Sequence, residues 1–245
     1  MKKNILILGA TSDMGRSFAR ECAFRSHNIV LAARNKDLLS ALHKDLEIRT
    51  DAHLQSFHFD VLDTDSHKFF YESLSIKIDL VVSFIGYLEE TFNCKSNFDI
   101  ARKVIDINFS CLVSILDIIA NDFEKRKNGI IVAVSSTAGD RGRASRYHYG
   151  SAKAALNTYL SGLRNRLFIS NVRVITIKPG YCNTKMTDGM KLSSFLTSEP
   201  EDVSKAIFNA INSGKDICYV YNIWKWIMLI IKIIPEIIFK RLKIK

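Results

Sequence analysis

Apolar runs and mixed helical stretches take turns along the whole chain. Lys3 to Gly9 (KNILILG) is a continuous apolar run closed by a glycine turn, the signature of a parallel strand buried on both faces. A helix is predicted from about Met14 to Arg25, a second strand over Asn28 to Ala33, a second helix over Lys36 to Thr50, and a third strand of alternating character over Leu54 to Phe59. Asp79 to Phe84 (DLVVSF) and Gly129 to Ser135 (GIIVAVS) repeat the strand signature, with a long helix near Phe98 to Lys125 between them. Val172 to Ile177 and Asp216 to Val220 complete about seven strands. Strands and helices alternate throughout, so the expected fold is α/β, a doubly wound parallel sheet with helices on both faces. No repeat, low-complexity tract or linker divides the chain.

Composition supports one domain with a sizeable core. Of 245 residues 47% are hydrophobic, with 11 Gly and 3 Pro, which excludes disordered and fibrous classes. Five scattered cysteines show no CxxC or Cys/His spacing, so neither a disulfide framework nor a metal site is expected. The apolar run Ile5 to Leu8 is too short for a secretory signal. A cytoplasmic protein is expected. The net charge is +10, and the last 24 residues carry six Lys/Arg against Glu236 alone.

The first candidate chemistry lies between the first strand and the first helix. In GATSDMG, Gly9 permits a tight turn, Gly15 permits close packing of helix on strand, and the helix N-terminus offers free N–H groups to a pyrophosphate. The plain alternative is an ordinary strand-to-helix turn. Asp13 stands where a phosphate would come closest, and its carboxylate should repel one unless it turns away to cap the helix. Arg34, at the end of the second strand, suits a 2′-phosphate and so favours NADP(H) over NAD(H), although a solvated arginine reads the same way. Asp60 and Val61, after the third strand, offer a carboxylate and an apolar wall to an adenine; an Asp capping the next helix looks identical.

The most specific constellation is SSTAGDRGRASRYHYGSAKAAL, Ser135 to Leu156. Tyr149 and Lys153 are four apart on a predicted helix and project from one face, and Ser136 lies thirteen residues before Tyr149. An ammonium beside a phenol should lower a pKa that starts near about 10 and suit Tyr149 to proton transfer. Ser136 would hydrogen-bond the substrate oxygen. Tyr147 is a decoy, since Lys153 falls on another helix face from it. Asn108, polar within the apolar stretch VIDINFSCLV, would hold a water relaying protons to Lys153, or else marks a kinked helix interior.

GATSDMG, Asn108, Ser136, Tyr149-x-x-x-Lys153 and KPGYCNT (Lys178 to Thr184) resemble, in order and spacing, the short-chain dehydrogenase/reductases, from Asn4 to about Tyr221. The resemblance implies a Rossmann-type fold and an NAD(P)-dependent oxidoreductase. It makes Tyr149 the general acid, gives Lys153 a second task on the nicotinamide ribose, has Ser136 orient the carbonyl and assigns Asn108 to the proton relay. It places Thr11, Ser12, Asp13, Met14 and Gly86 along the cofactor, with Pro179, Gly180 and Thr184 at its carboxamide, and it favours a homo-oligomer. Leu8, Asp13 and Phe84-Ile85-Gly86 depart from the family's usual Thr, middle Gly and Asn-Ala-Gly.

A narrower likeness, in FDVLDTDSH, SSTAGDRGR, IKPGYCNTKM and IPEIIFKRL, is to the decaprenylphosphoryl-2-keto-ribose reductases. It implies reduction of a lipid-linked keto-sugar in cell-wall synthesis, after a partner flavin-dependent oxidase has made the ketone. Residues 222–245 are expected to form a basic amphipathic tail beside the reductase domain of residues 1–221. At about 100° per residue, Lys225, Lys232, Glu236, Lys240 and Lys243 fall within about 80°, leaving Trp224, Trp226, Ile227, Ile230, Ile231, Ile234 and Ile238 on an apolar face, with Pro235 dividing the helix. That pattern suits the membrane interface rather than a span, or else an oligomer-contact or core-packing helix, and nucleic acid is not expected. Tyr181 to Glu199 reads as a loop that could close over substrate. The competing readings are a reductase of a soluble hydrophobic ketone, of fatty-acyl or polyketide type, and a nucleotide-binding membrane protein without turnover.

Overall fold

A computed structural model describes residues 2–190 and 193–242. Lys243, assigned to the basic stripe, and Lys245 lie outside the described residues. The chain runs β1 (Asn4–Leu8), α1 (Asp13–Phe24), β2 (Asn28–Ala33), α2 (Lys36–Arg49), β3 (Leu54–His58), α3 (His67–Glu72), β4 (Leu80–Ser83), α4 (Thr91–Ser96) and α5 (Phe98–Ile105). Then follow α6 (Cys111–Arg126), β5 (Gly129–Val134), α7 (Tyr147–Leu167), β6 (Val172–Lys178), β7 (Tyr181–Cys182), β8 (Thr197–Ser198), α8 (Pro200–Ser213), β9 (Ile217–Tyr219), α9 (Asn222–Ile233) and α10 (Glu236–Phe239).

Seven strands form one parallel sheet in the order β3-β2-β1-β4-β5-β6-β9. Ile5 pairs with Ile29 on one side and Leu80 on the other, so β1 is central, as its unbroken apolar run requires. Alternate residues of β1 serve opposite cores: Ile5 and Ile7 meet Phe18, Leu42 and Ile207, whereas Leu6 and Leu8 meet Phe70, Leu116 and Leu160. Helices α1, α2 and α8 cover the first face, and α3, α6 and α7 the second.

Three expectations change. The predicted long helix near Phe98 to Lys125 is interrupted by a five-residue π turn, Asp106–Ser110, between α5 and α6. The predicted loop from Tyr181 to Glu199 is pinned at its base by β7 pairing with β8 and by the Trp224 indole N–H, which donates to the Leu196 carbonyl at 3.0 Å. The single apolar face assigned to the tail is split. Trp224 and Met228 are buried against the body with Ile227 and Ile231 half-buried beside them, while Trp226, Leu229, Ile230 and Ile233 point outward. Pro235 does break the helix, between α9 and α10.

Candidate active site

The sheet order reverses between β1 and β4, and the crevice beyond the C-terminal strand ends at such a point is where an open α/β sheet takes a ligand. Gly9 has φ +77°, and a Cβ on Gly15 would lie 2.4 Å from the Gly9 carbonyl oxygen, so both glycines are required by the turn. Ser12 caps α1, its Oγ accepting the Gly15 N–H at 3.1 Å. Ser12, and not Asp13, therefore caps the helix. Asp13 pairs with Arg16 and accepts the Lys185 N–H at 2.8 Å, which ties its carboxylate to the loop beyond Thr184.

Gly9, Thr11, Ser12, Arg34, Asp60, Val61 and Gly86 line a cavity of about 270 Å³ at one end of the crevice. Arg34 is exposed at its rim. Asp60 does not cap the next helical turn, whose N-cap is Asp63; it accepts the Leu62 N–H at 3.0 Å in a local turn. Lys103 is a second cation on this cavity that sequence reasoning missed, because it belongs to α5, far along the chain. The neighbouring cavity, about 260 Å³, is lined by Thr11, Ser12, Asp13, Met14, Gly86, Tyr149, Lys153 and Thr184.

At the far end Ser136, Tyr149, Pro179, Gly180 and Thr184 line a third, smaller cavity of about 110 Å³. Ser136 follows β5 and accepts the Ala138 N–H at 3.1 Å. Tyr149 and Lys153 sit one turn apart on α7, while Tyr147 is exposed, as befits the decoy. Lys153 Nζ is 5.8 Å from the Tyr149 ring centroid and donates to the Val134 carbonyl at 3.3 Å.

The expected lowering of the Tyr149 pKa is not found. Burial raises the phenol to about 12, against the opposing pull of a Ser136 hydrogen bond and the Arg146 charge. Burial alone lowers Lys153 to about 8. Asn108 is fully buried in the π turn. It donates to the carbonyls of Tyr87 (2.6 Å) and Val104 (2.8 Å) and accepts the Tyr87 N–H at 3.2 Å, so it holds the segment after β4, beside Gly86, against the bulged helix.

Several site residues were not legible in the sequence. Arg143, Arg146, Met190 and Trp224 line the small cavity from three separate segments. Asp140 and Lys178 form a buried ion pair at 2.5 Å, and the Tyr219 hydroxyl donates to the same carboxylate at 2.7 Å. That contact, after burial, drives the Tyr219 phenol far above its ordinary value. The trio ties β6 and β9 to the turn after Ser136. Only the motifs containing Asp140 and Lys178 hinted at it.

Known proteins bear out this architecture. An uncharacterized oxidoreductase of Mycobacterium tuberculosis is 29% identical over 241 residues, covering 97% of this chain and 96% of its own. A short-chain dehydrogenase of Sphingobium yanoikuyae, solved with NADPH, superposes with a TM-score of 0.80 at 21% identity, covering 89% of this chain and 87% of its own. A short chain dehydrogenase/reductase of Burkholderia phymatum, solved with NAD, gives 0.84 at 18% identity, with 93% and 92% covered. The profile of the short chain dehydrogenases matches residues 3–193. The chain belongs to the short chain dehydrogenase family and is an oxidoreductase.

Proposed function

We propose that this chain reduces a keto group on a polyprenyl-phosphate-linked sugar in bacterial cell-envelope synthesis, using a nicotinamide dinucleotide with NADP(H) preferred to NAD(H). The observation that carries the substrate reading is the small cavity. Arg143 and Arg146 stand beside Tyr149 and Ser136, while Met14, Leu88, Met190 and Trp224 supply apolar walls. Guanidinium groups suit a phosphate, and the apolar walls suit a lipid. A partner that oxidises the sugar hydroxyl, of the flavin-dependent oxidase class, would supply the ketone.

The crevice fits the dinucleotide. The capped N-terminus of α1 and the two close-packed glycines leave room for a pyrophosphate along Thr11, Ser12 and Met14. Gly86 faces the crevice where a Cβ would come within 3.3 Å of Asn108 Oδ1 and 3.6 Å of Lys153 Nζ. Arg34, Asp60 and Val61 would hold the adenosine end, and Pro179, Gly180 and Thr184 the other. When bound, the dinucleotide supplies the hydride.

The chain's own residues handle the oxygen and the proton. Ser136 Oγ donates a hydrogen bond to the carbonyl oxygen, and the Tyr149 hydroxyl gives that oxygen its proton. Lys153, lowered to about 8 by burial, can regain and release protons at working pH one helix turn from Tyr149. Asn108 positions the backbone around Gly86, and the Asp140–Lys178–Tyr219 trio positions the Ser136 turn.

The test is turnover on a lipid-linked keto-pentose against a soluble β-ketoacyl thioester. The proposal expects the former to be preferred, and Arg146→Ala to lower kcat/KM on it by about 10- to 100-fold, with little effect on a neutral ketone. The apolar walls also favour a second reading, reduction of a soluble hydrophobic ketone. Turnover of the thioester alone would establish that reading. Arg34→Asp should shift the NADPH/NADH ratio toward NADH by roughly tenfold. An unchanged ratio would place Arg34 in solvent, away from the cofactor.

A further inference from the structure

Among the described residues, none covers the outward side of α9. Trp226, Leu229, Ile230 and Ile233 lie within about 100° of one another around the helix axis, and Trp226 and Ile233 are 60% and 71% exposed. Ile237 and Ile238 of α10 continue the apolar surface at 63% and 51% exposure. Lys225 and Lys232 run along one edge of the strip, and exposed Lys240 and Arg241 follow α10. The acidic residue of α10, Glu236, is already paired with Arg141 at 2.8 Å.

Arg141 makes the two helices one rigid surface. Its Nη1 donates to the carbonyls of Ile231 (2.8 Å), Lys232 (3.1 Å) and Ile234 (2.6 Å), and its guanidinium lies 3.8 Å from the Phe239 ring centroid. It thus satisfies the carbonyls freed where Pro235 ends α9. Arg141 belongs to the turn after Ser136, and on the inner side of α9 Trp224 lines the small cavity and holds Leu196. Phe195, next to Leu196, is 73% exposed. The apolar and basic surface therefore adjoins the cavity.

We propose that this α9–α10 surface docks on an anionic lipid bilayer, lying in the interface beside the substrate cavity. The outer strip would enter the headgroup boundary while the lysines and Arg241 meet lipid phosphates, their stems running along the apolar strip. At about 18 Å, α9 is too short for a hydrocarbon core of about 30 Å, so it lies on the membrane. A second copy of the chain is the weaker occupant. Closing two such surfaces together would set cations against cations with the Glu236 carboxylate already taken. The docking does not depend on which ketone is reduced.

The test is co-sedimentation of the full chain with phosphatidylcholine vesicles, with and without phosphatidylglycerol. The wild type should pellet with the anionic vesicles and be released by salt. Trp226→Ser/Ile230→Ser/Ile233→Ser should lower partitioning by roughly tenfold or more with an unchanged circular-dichroism melt. Lys225→Glu/Lys232→Glu, which keeps the strip, should lose the preference for anionic lipid. Equal pelleting of the triple-serine variant and wild type would overturn the proposal. So would a wild-type dimer that shows no vesicle binding and that the same variant dissociates. Should the triple variant melt lower, the Lys-to-Glu variant decides: retained preference for anionic vesicles overturns the proposal.

Discussion

Burial acts on the two central groups of the site in opposite electrostatic senses but with one result, since it favours the neutral form of each. Lys153 falls to about 8 from an ordinary 10.5, and Tyr149 rises to about 12. The lysine has a consequence for stability. Between about pH 8 and 10.5 the unfolded chain holds a proton on Lys153 that the folded chain has released, so stability rises with pH across that window, by at most about 1.4 kcal/mol per pH unit. Below pH 8 the cost of burying the charge is fully present. Ligand-free Lys153→Met should therefore be more stable than wild type at neutral pH, with the gap narrowing from about pH 8 to 10.5. Denaturant titrations across the range measure it. A gap that stays constant with pH would show that Lys153 keeps its ordinary pKa in the fold.

At the scale of elements, the long regular pieces were legible because their signals are local. The unbroken apolar runs of β1, β2, β4 and β5 identify a doubly covered parallel sheet, and the spacing from Tyr149 to Lys153 needs only one helix turn. At Asn108 the sequence offered a kinked helix interior only as an alternative, and the π turn itself was not legible. A bulge is decided by whether a buried amide can reach backbone across the helix, and here the acceptor, Tyr87 O, lies 21 residues away. Trp224 stayed undecided between a membrane face and a core-packing face for a similar reason. Helical periodicity marks it as apolar but does not say which apolar stripe meets the body. The contact with Gly180 settles that, because a Cβ there would lie 2.0 Å from the Trp224 indole nitrogen. Gly180→Ala should cost about 1–3 kcal/mol by displacing the indole, and much less in a Trp224→Ala background. Additive losses in that double-mutant cycle would mean that the two residues do not touch.

The whole molecule places its candidate chemistry along one crevice at the sheet's switch point, from Arg34 at one end to Trp224 at the other. The residues lining the crevice near Arg34 come mostly from contiguous motifs and most of them, though not Lys103, were named in the sequence, whereas the small cavity is assembled from distant segments and was named only in part. The tail also belongs to the body more than its composition suggests. Trp224 and Met228 are buried, so a chain ending at Tyr221 should lose at least about 3 kcal/mol and its substrate cavity wall, seen as a lowered melting temperature. An unchanged melt would show that α9 is a passive appendage.

The account turns on Tyr149 as the proton donor at the junction of the cofactor crevice and the small cavity. Reduction by Tyr149→Phe, measured together with NADPH binding, tests this most directly. The ring stays and the transferable proton goes, so turnover should fall by about 10²- to 10⁴-fold while binding changes little. Turnover near the wild-type rate would contradict the account.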